Sequence, residues 1–182
     1  MNLLAIYGLL GHGLLCGALV SRLPLGHLRQ RAALIATTIA LLAGIAPLLH
    51  AWFGPPSVTL LVLALLQLPT TPLTPLTASS ARYLLGAALL FYVAGALPGE
   101  FAPYALGYQP GLLLALLGGL TLWLWGRRQT PWLLILAADL GVWLTGIFAN
   151  LWDVLFDPLL VLLCAAIVGQ QQVARWLSAR RR

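Results

Sequence analysis

The residues best placed to do chemistry are Asp139 and His12, because each is an ionisable side chain set inside a long apolar run. Asp139 stands in Trp132-Leu-Leu-Ile-Leu-Ala-Ala-Asp139-Leu-Gly-Val-Trp143. On a helix it would lie roughly 12 Å from the cytoplasmic end of its segment. A carboxylate at such depth costs about 2.5–3.5 kcal/mol on insertion scales, so it must face the bundle interior with a partner, or be protonated. His12 reaches a similar depth from the outer end of the first apolar run and is the expected partner wherever those two helices are neighbours. Such a pair could relay protons or grip a substrate. The plainer reading, a hydrogen-bonded pair that locks two helices together, carries more weight, since no acid–base chain extends from it.

A second constellation falls on the outer face. His50 and Trp52 close the second apolar run, and Glu100, Tyr104 and Tyr108 follow in the longest outer loop. Then comes Asn150-Leu-Trp152-Asp153-Val-Leu-Phe-Asp157-Pro158. Asp153 and Asp157 share a face if they are helical. With Glu100 and His50 they could bind a cation, or serve as acid and base on a lipid headgroup. Capping is the stronger reading. Asn150 with Asp153 three residues on resembles a capping box, acids suit the positive end of a helix dipole, and Asp157-Pro158 marks a helix restart. Tyrosine and tryptophan here fit an interfacial belt. One histidine among loose carboxylates has no ligand spacing, so no metal is expected. No cofactor is expected either: the chain has no P-loop, GxSxG, HExxH or dinucleotide fingerprint, and no facing histidines suited to haem.

The elements that must hold these residues are membrane helices. With 61% hydrophobic and only 8% charged residues, the chain could not cover a soluble exterior. The net charge of +6 does not point to nucleic acid, because the arginines end apolar segments instead of lining a polar face. Apolar runs at 3–20, 32–53, 57–76, 81–98, 110–126, 131–149 and 151–172 give seven spans in one domain, 1–182. Pro110 and Pro131 suit first helical positions, and Thr130 suits an N-cap. The third run is the weakest, since Pro69, Pro72 and Pro75 cannot continue a helix. Its Pro69–Ser80 stretch reads as a hydroxyl-rich cytoplasmic loop, and otherwise as unwound backbone against a watery cavity.

Orientation follows from charge. With seven crossings and the N-terminus outside, all ten arginines are cytoplasmic, while Glu100, Asp153 and Asp157 are external. A re-entrant third run would break that separation. Arg29, Arg31, Arg127, Arg128, Arg180, Arg181 and Arg182 are therefore expected on anionic lipid headgroups. Met1–Val20 reads as a retained first span, lacking a basic start and a cleavage site. Cys16 and Cys164 lie within spans and suggest neither a disulfide nor a thiol metal site. Gly13-Leu-Leu-Cys-Gly17 permits close helix approach, more simply within the chain than in a homodimer.

The expected class is an all-α polytopic protein of a bacterial cytoplasmic membrane. Scarcity of intramembrane polar groups favours a non-catalytic subunit or assembly factor with a membrane-protein partner. The alternatives are a small proton-coupled or apolar-substrate carrier using Asp139 and His12, and an outer-leaflet lipid-modifying enzyme.

Overall fold

The computed structural model describes residues 2–96 and 103–180, of which the side chain of Arg180 is not described. Among the described residues nine α-helices form and no strand. They are α1 (Leu3–Val20), α2 (Arg29–Leu42), α3 (Ile45–Phe53), α4 (Val58–Gln67), α5 (Ala78–Ala96), α6 (Gly111–Gly126), α7 (Thr130–Leu144), α8 (Leu151–Leu155) and α9 (Pro158–Arg180). By length and composition α1, α5 and α9 can each cross a membrane, and the bent α2–α3 pair makes a fourth crossing if it is one span.

Local chemistry explains the boundaries. Asn2 caps α1 by accepting from the Leu4 N–H at 3.2 Å. Thr77 and Ser80 form a reciprocal box at the start of α5, with the Thr77 N–H donating to Ser80 Oγ at 2.8 Å and the Ser80 N–H to Thr77 Oγ1 at 3.2 Å. Helix α6 ends in a Schellman turn, in which the Gln129 N–H reaches the Leu124 carbonyl at 2.9 Å. Arg128 fills the left-handed position of that turn at φ 54°, where glycine is usual.

Four of the expected spans are corrected, the run 131–149 because its helix α7 ends at Leu144 and 145–150 is not helical. The run 32–53 is not one helix: it bends by 73° at Ala43-Gly44, where Gly44 adopts φ 79°. The run 57–76 is helical only to Gln67, because Pro69, Pro72 and Pro75 supply no N–H and 68–77 leaves the helix. At ten residues α4 is about 15 Å long, half of a roughly 30 Å hydrocarbon core. The run 151–172 is split at Phe156-Asp157, and its second part continues to Arg180.

Helix α1 packs against α2, α3 and α4, while α4 also meets α7 and α8; α6 leans on α7, and α5 on α9. The short α4 lies between α1 and α7 and enters both apolar clusters. Its Val58 joins Leu113, Leu117, Leu136, Leu151 and Val154 in one apolar cluster. Its Leu60 and Leu63 join Ala81, Ile135, Leu160 and Cys164 in the other. Small residues on α1 let its neighbours approach closely. Along α1, a Cβ added to Gly11 would meet Pro56, one on Gly13 would meet Leu41, and one on Gly17 would meet Thr37 and the Ala33 carbonyl. The glycine-rich face of α1 is used within the chain.

A candidate intramembrane polar site

Two interrupted helices begin beside the middle of α1. The Tyr7 hydroxyl donates to the Pro56 carbonyl at 3.1 Å, and Gly11 faces the Pro56 ring, so the start of α4 stands level with residues 7–11 of α1. The orphan N–H groups there are served by two side chains. Ser57 Oγ accepts from the Leu60 N–H at 3.2 Å. The Asp157 carboxylate accepts from the Ser57 N–H at 2.6 Å and from the Leu160 N–H at 2.8 Å. One buried carboxylate therefore ties the N-termini of α4 and α9 together, with both helix dipoles favouring its charge. Interrupted transporter helices offer such N-termini to anionic substrates; here the chain's own Asp157 fills that place.

Around this junction lie polar atoms that are not so well served. Asp139 is fully buried on α7. Its Oδ2 accepts from the Thr59 hydroxyl, in the first turn of α4, at 2.8 Å. Its Oδ1 is buried with no hydrogen-bond partner among the described residues. His12 is also fully buried, and its Nδ1–H donates to the Gly8 carbonyl at 2.7 Å. That bond makes Nε2 the bare acceptor of the neutral ring, and Nε2 too lacks a partner among the described residues. The His50 ring lies 5.9 Å from that of His12, and its Nδ1 is likewise buried and unpartnered. Gly8 makes room for it, since a Cβ there would collide with the His50 ring.

The polar centre thus draws on α1, α3, α4 and α7. Asp139 Oδ1 and His12 Nε2 are acceptors without donors, a costly state in a medium that cannot hydrogen-bond. What they can take is a proton, or a small donor such as water or an ammonium-type cation. Among the described residues no hydrogen bond links His12 to Asp139: α4 stands between α1 and α7, so Asp139 meets Thr59 and His12 meets His50. Ser57 and Thr59 belong to this centre, and neither stands out in the sequence alone.

The expected outer cluster divides. His50 turns inward to His12, and Asp157 serves the two helix starts. Tyr104, Asn150 and Asp153 do come together. The Tyr104 hydroxyl donates to Asp153 at 3.0 and 3.1 Å, and Asn150 Nδ2 donates to the Tyr104 carbonyl at 3.0 Å. Asn150 also caps α8 by accepting from the Trp152 N–H at 2.9 Å, while Trp152 Nε1–H donates to the Pro103 carbonyl at 2.8 Å. The reciprocal half of a capping box is not made, because the Asp153 carboxylate turns to Tyr104. Burial pushes the Asp153 carboxyl above its ordinary range, and the Tyr104 hydroxyl partly offsets that. Burial, then the hydrogen bond to Asp153, drives the Tyr104 phenol well above its ordinary range. Glu100 lies outside the described residues.

Of the arginines, Arg29 is half-buried and donates to the Gln67 carbonyl at 2.5 Å and the Thr70 carbonyl at 3.1 Å, closing the negative end of α4. Arg31, Arg127 and Arg128 are exposed, with Arg127 over the Trp123 ring at 5.7 Å. Arg181 and Arg182 lie outside the described residues. Among those described, no group of three histidine, cysteine or acidic side chains could hold a metal ion. No protein-family model matches the chain, and neither a curated protein nor a solved structure matches it.

Proposed function

We propose that this chain is a multi-pass protein of the bacterial cytoplasmic membrane that works as a small proton-coupled carrier through the His12–His50–Thr59–Asp139 centre. The observation that carries the reading is the pair of buried acceptors, Asp139 Oδ1 and His12 Nε2, left without donors beside the start of the half-length helix α4. Seven crossings, N-terminus outside and C-terminus inside, is the topology that keeps every arginine cytoplasmic. The bonds from Arg29 to Gln67 and Thr70 support it, since they hold the end of α4 on the side where α2 begins. Anionic lipid on that side is the natural partner of the arginines.

The second reading is a non-catalytic subunit of a membrane complex. It is favoured by the internal use of Asp153 and Asp157, which leaves the outer layer little free chemistry. The same bonds count against an outer-leaflet enzyme. Infrared difference spectra of nanodisc-embedded protein across a pH titration test the carrier reading. The expected result is a carboxylic-acid C=O band that titrates reversibly, is absent in Asp139→Asn, and shifts in Thr59→Val. An Asp139 band that never responds to external pH would defeat proton coupling. A stoichiometric partner in native mass spectra, with Asp139→Asn fully active in that complex, would establish the subunit.

A further inference from the structure

The turn between α1 and α2 borders an open basin of about 610 Å³, whose polar lining is Ser21, Arg22, Arg29, Gln67 and Thr70. Two cations meet there, and among the described residues no ion pair neutralises either. The described acids, Asp139, Asp153 and Asp157, sit on α7, on α8 and at the start of α9, and none lines the basin. Arg29 is fixed in place by the Gln67 and Thr70 carbonyls, so its charge is pre-positioned. Those bonds use two of its five N–H donors, and the buried Nε–H makes none among the described residues, which leaves the second N–H on each of Nη1 and Nη2. Arg22 is exposed and makes no such structural bond, so its guanidinium can close on a bound group. Leu23 is part of the lining, and Leu19 and Leu28 beside it in the chain are 61% and 47% exposed.

Fixed cation, free cation and apolar neighbours together describe a phosphate-bearing amphiphile. We infer that this basin is a specific site for a phosphate group, the phosphodiester of an anionic phospholipid with its acyl chains along Leu19 and Leu23. Arg29 and Thr70 hold the phosphate from the α4 side, and Arg22 clamps it from the turn. Free phosphate shares the chemistry and lacks the chains. The inference needs membrane embedding but not the proton centre, which lies on other residues.

Native mass spectrometry of detergent-released protein, with phosphatidylglycerol, phosphatidylcholine or inorganic phosphate added separately, tests it. One phosphatidylglycerol should be retained in preference to phosphatidylcholine. Arg22→Gln should weaken retention about tenfold, Arg22→Lys less, because the charge stays while the fork is lost. Arg175→Gln, on the exposed flank of α9, should leave retention unchanged. If inorganic phosphate displaces the lipid at comparable concentration, the site is one for soluble phosphate. Equal retention by Arg22→Gln and the parent, with unchanged circular dichroism, would overturn the assignment. So would equal binding of both lipids.

Discussion

Replacing Asp157 with alanine should be among the most damaging single changes to stability, more so than any change at the outer carboxylate Asp153. The Asp157 carboxylate accepts two buried backbone N–H bonds, at 2.6 and 2.8 Å, from the starts of two different helices. Hydrogen bonds to a charged group contribute about 1.5–3 kcal/mol each, so losing both costs about 3–6 kcal/mol. The alanine variant also leaves two N–H donors buried with no replacement acceptor. The Asp157→Asn change would keep one acceptor oxygen and turn an NH₂ toward the other donor, so roughly half the loss is expected. For a chain of this length each kcal/mol moves the melting temperature by about 2–4 °C. Asp157→Ala should therefore melt on the order of 10 °C lower and Asp157→Asn about 5 °C lower. Asp153→Ala, which loses only a bond to an exposed tyrosine, should move by about 2 °C. Thermal unfolding in detergent, followed by emission of the seven tryptophans, gives the numbers. Asp157→Ala melting no lower than Asp153→Ala would refute the idea that this carboxylate joins α4 to α9.

Gly17→Ala should destabilise by about 1–3 kcal/mol, because its Cβ would press on the Ala33 carbonyl and Thr37. Gly118→Ala, which opens onto free space on α6, should be neutral or gain up to about 1 kcal/mol; equal melting shifts for the two would contradict the packing of α1 on α2. Arg128→Gly should stabilise by about 1 kcal/mol by relieving the left-handed backbone, seen as a higher melting temperature, and an unchanged or lower one would count against strain at that turn. Asp153 has its folded carboxyl raised, chiefly by burial, so its contribution is fully present below the ordinary carboxyl range and lost as pH rises through the raised value. The melting temperature of the parent relative to Asp153→Asn should accordingly fall as pH rises from the ordinary carboxyl range through the raised value, and a difference that rises instead would refute the assignment.

Much of the helical outline was legible because its punctuation is strong. Pro110 and Pro131 mark the starts of α6 and α7, each one place from where it was expected, since Pro110 is the N-cap residue itself and Thr130 is already helical behind Gln129; the prolines after Leu68 end α4. The interior breaks were harder to read. Gly44 lies in an unbroken apolar run, and nothing in hydropathy separates a glycine that packs from one that bends a helix by 73°. That bend misled the assignment of His50. Counting residues along a straight helix puts it at the outer surface, whereas the turn at Gly44 carries it inward over Gly8. Thr59 was invisible for a related reason. A threonine in a leucine-rich segment reads as filler until the start of α4 is known to stand mid-way along α1, facing α7. In the sequence Asp157 marks a helix restart, and the structure adds the second helix it caps, a hundred residues away in the chain.

The two buried carboxylates differ in what compensates their charge, and this difference is what the proposed proton-coupled reading rests on. Asp157 has two N–H donors and two helix dipoles aimed at it, so its charge is compensated by fixed backbone that needs no cation. Asp139 has one hydroxyl donor and a free oxygen, and it lies within α7, beyond the first turn where the helix dipole acts. The arginines that could neutralise it mark the ends of segments, and the nearest in sequence, Arg127 and Arg128, are exposed in the turn between α6 and α7. Burial without a counter-cation is costly unless the missing positive charge is supplied. A proton does this with the least rearrangement. The rings of His12 and His50, edge to face on the other side of α4, each carry a buried nitrogen without a partner among the described residues.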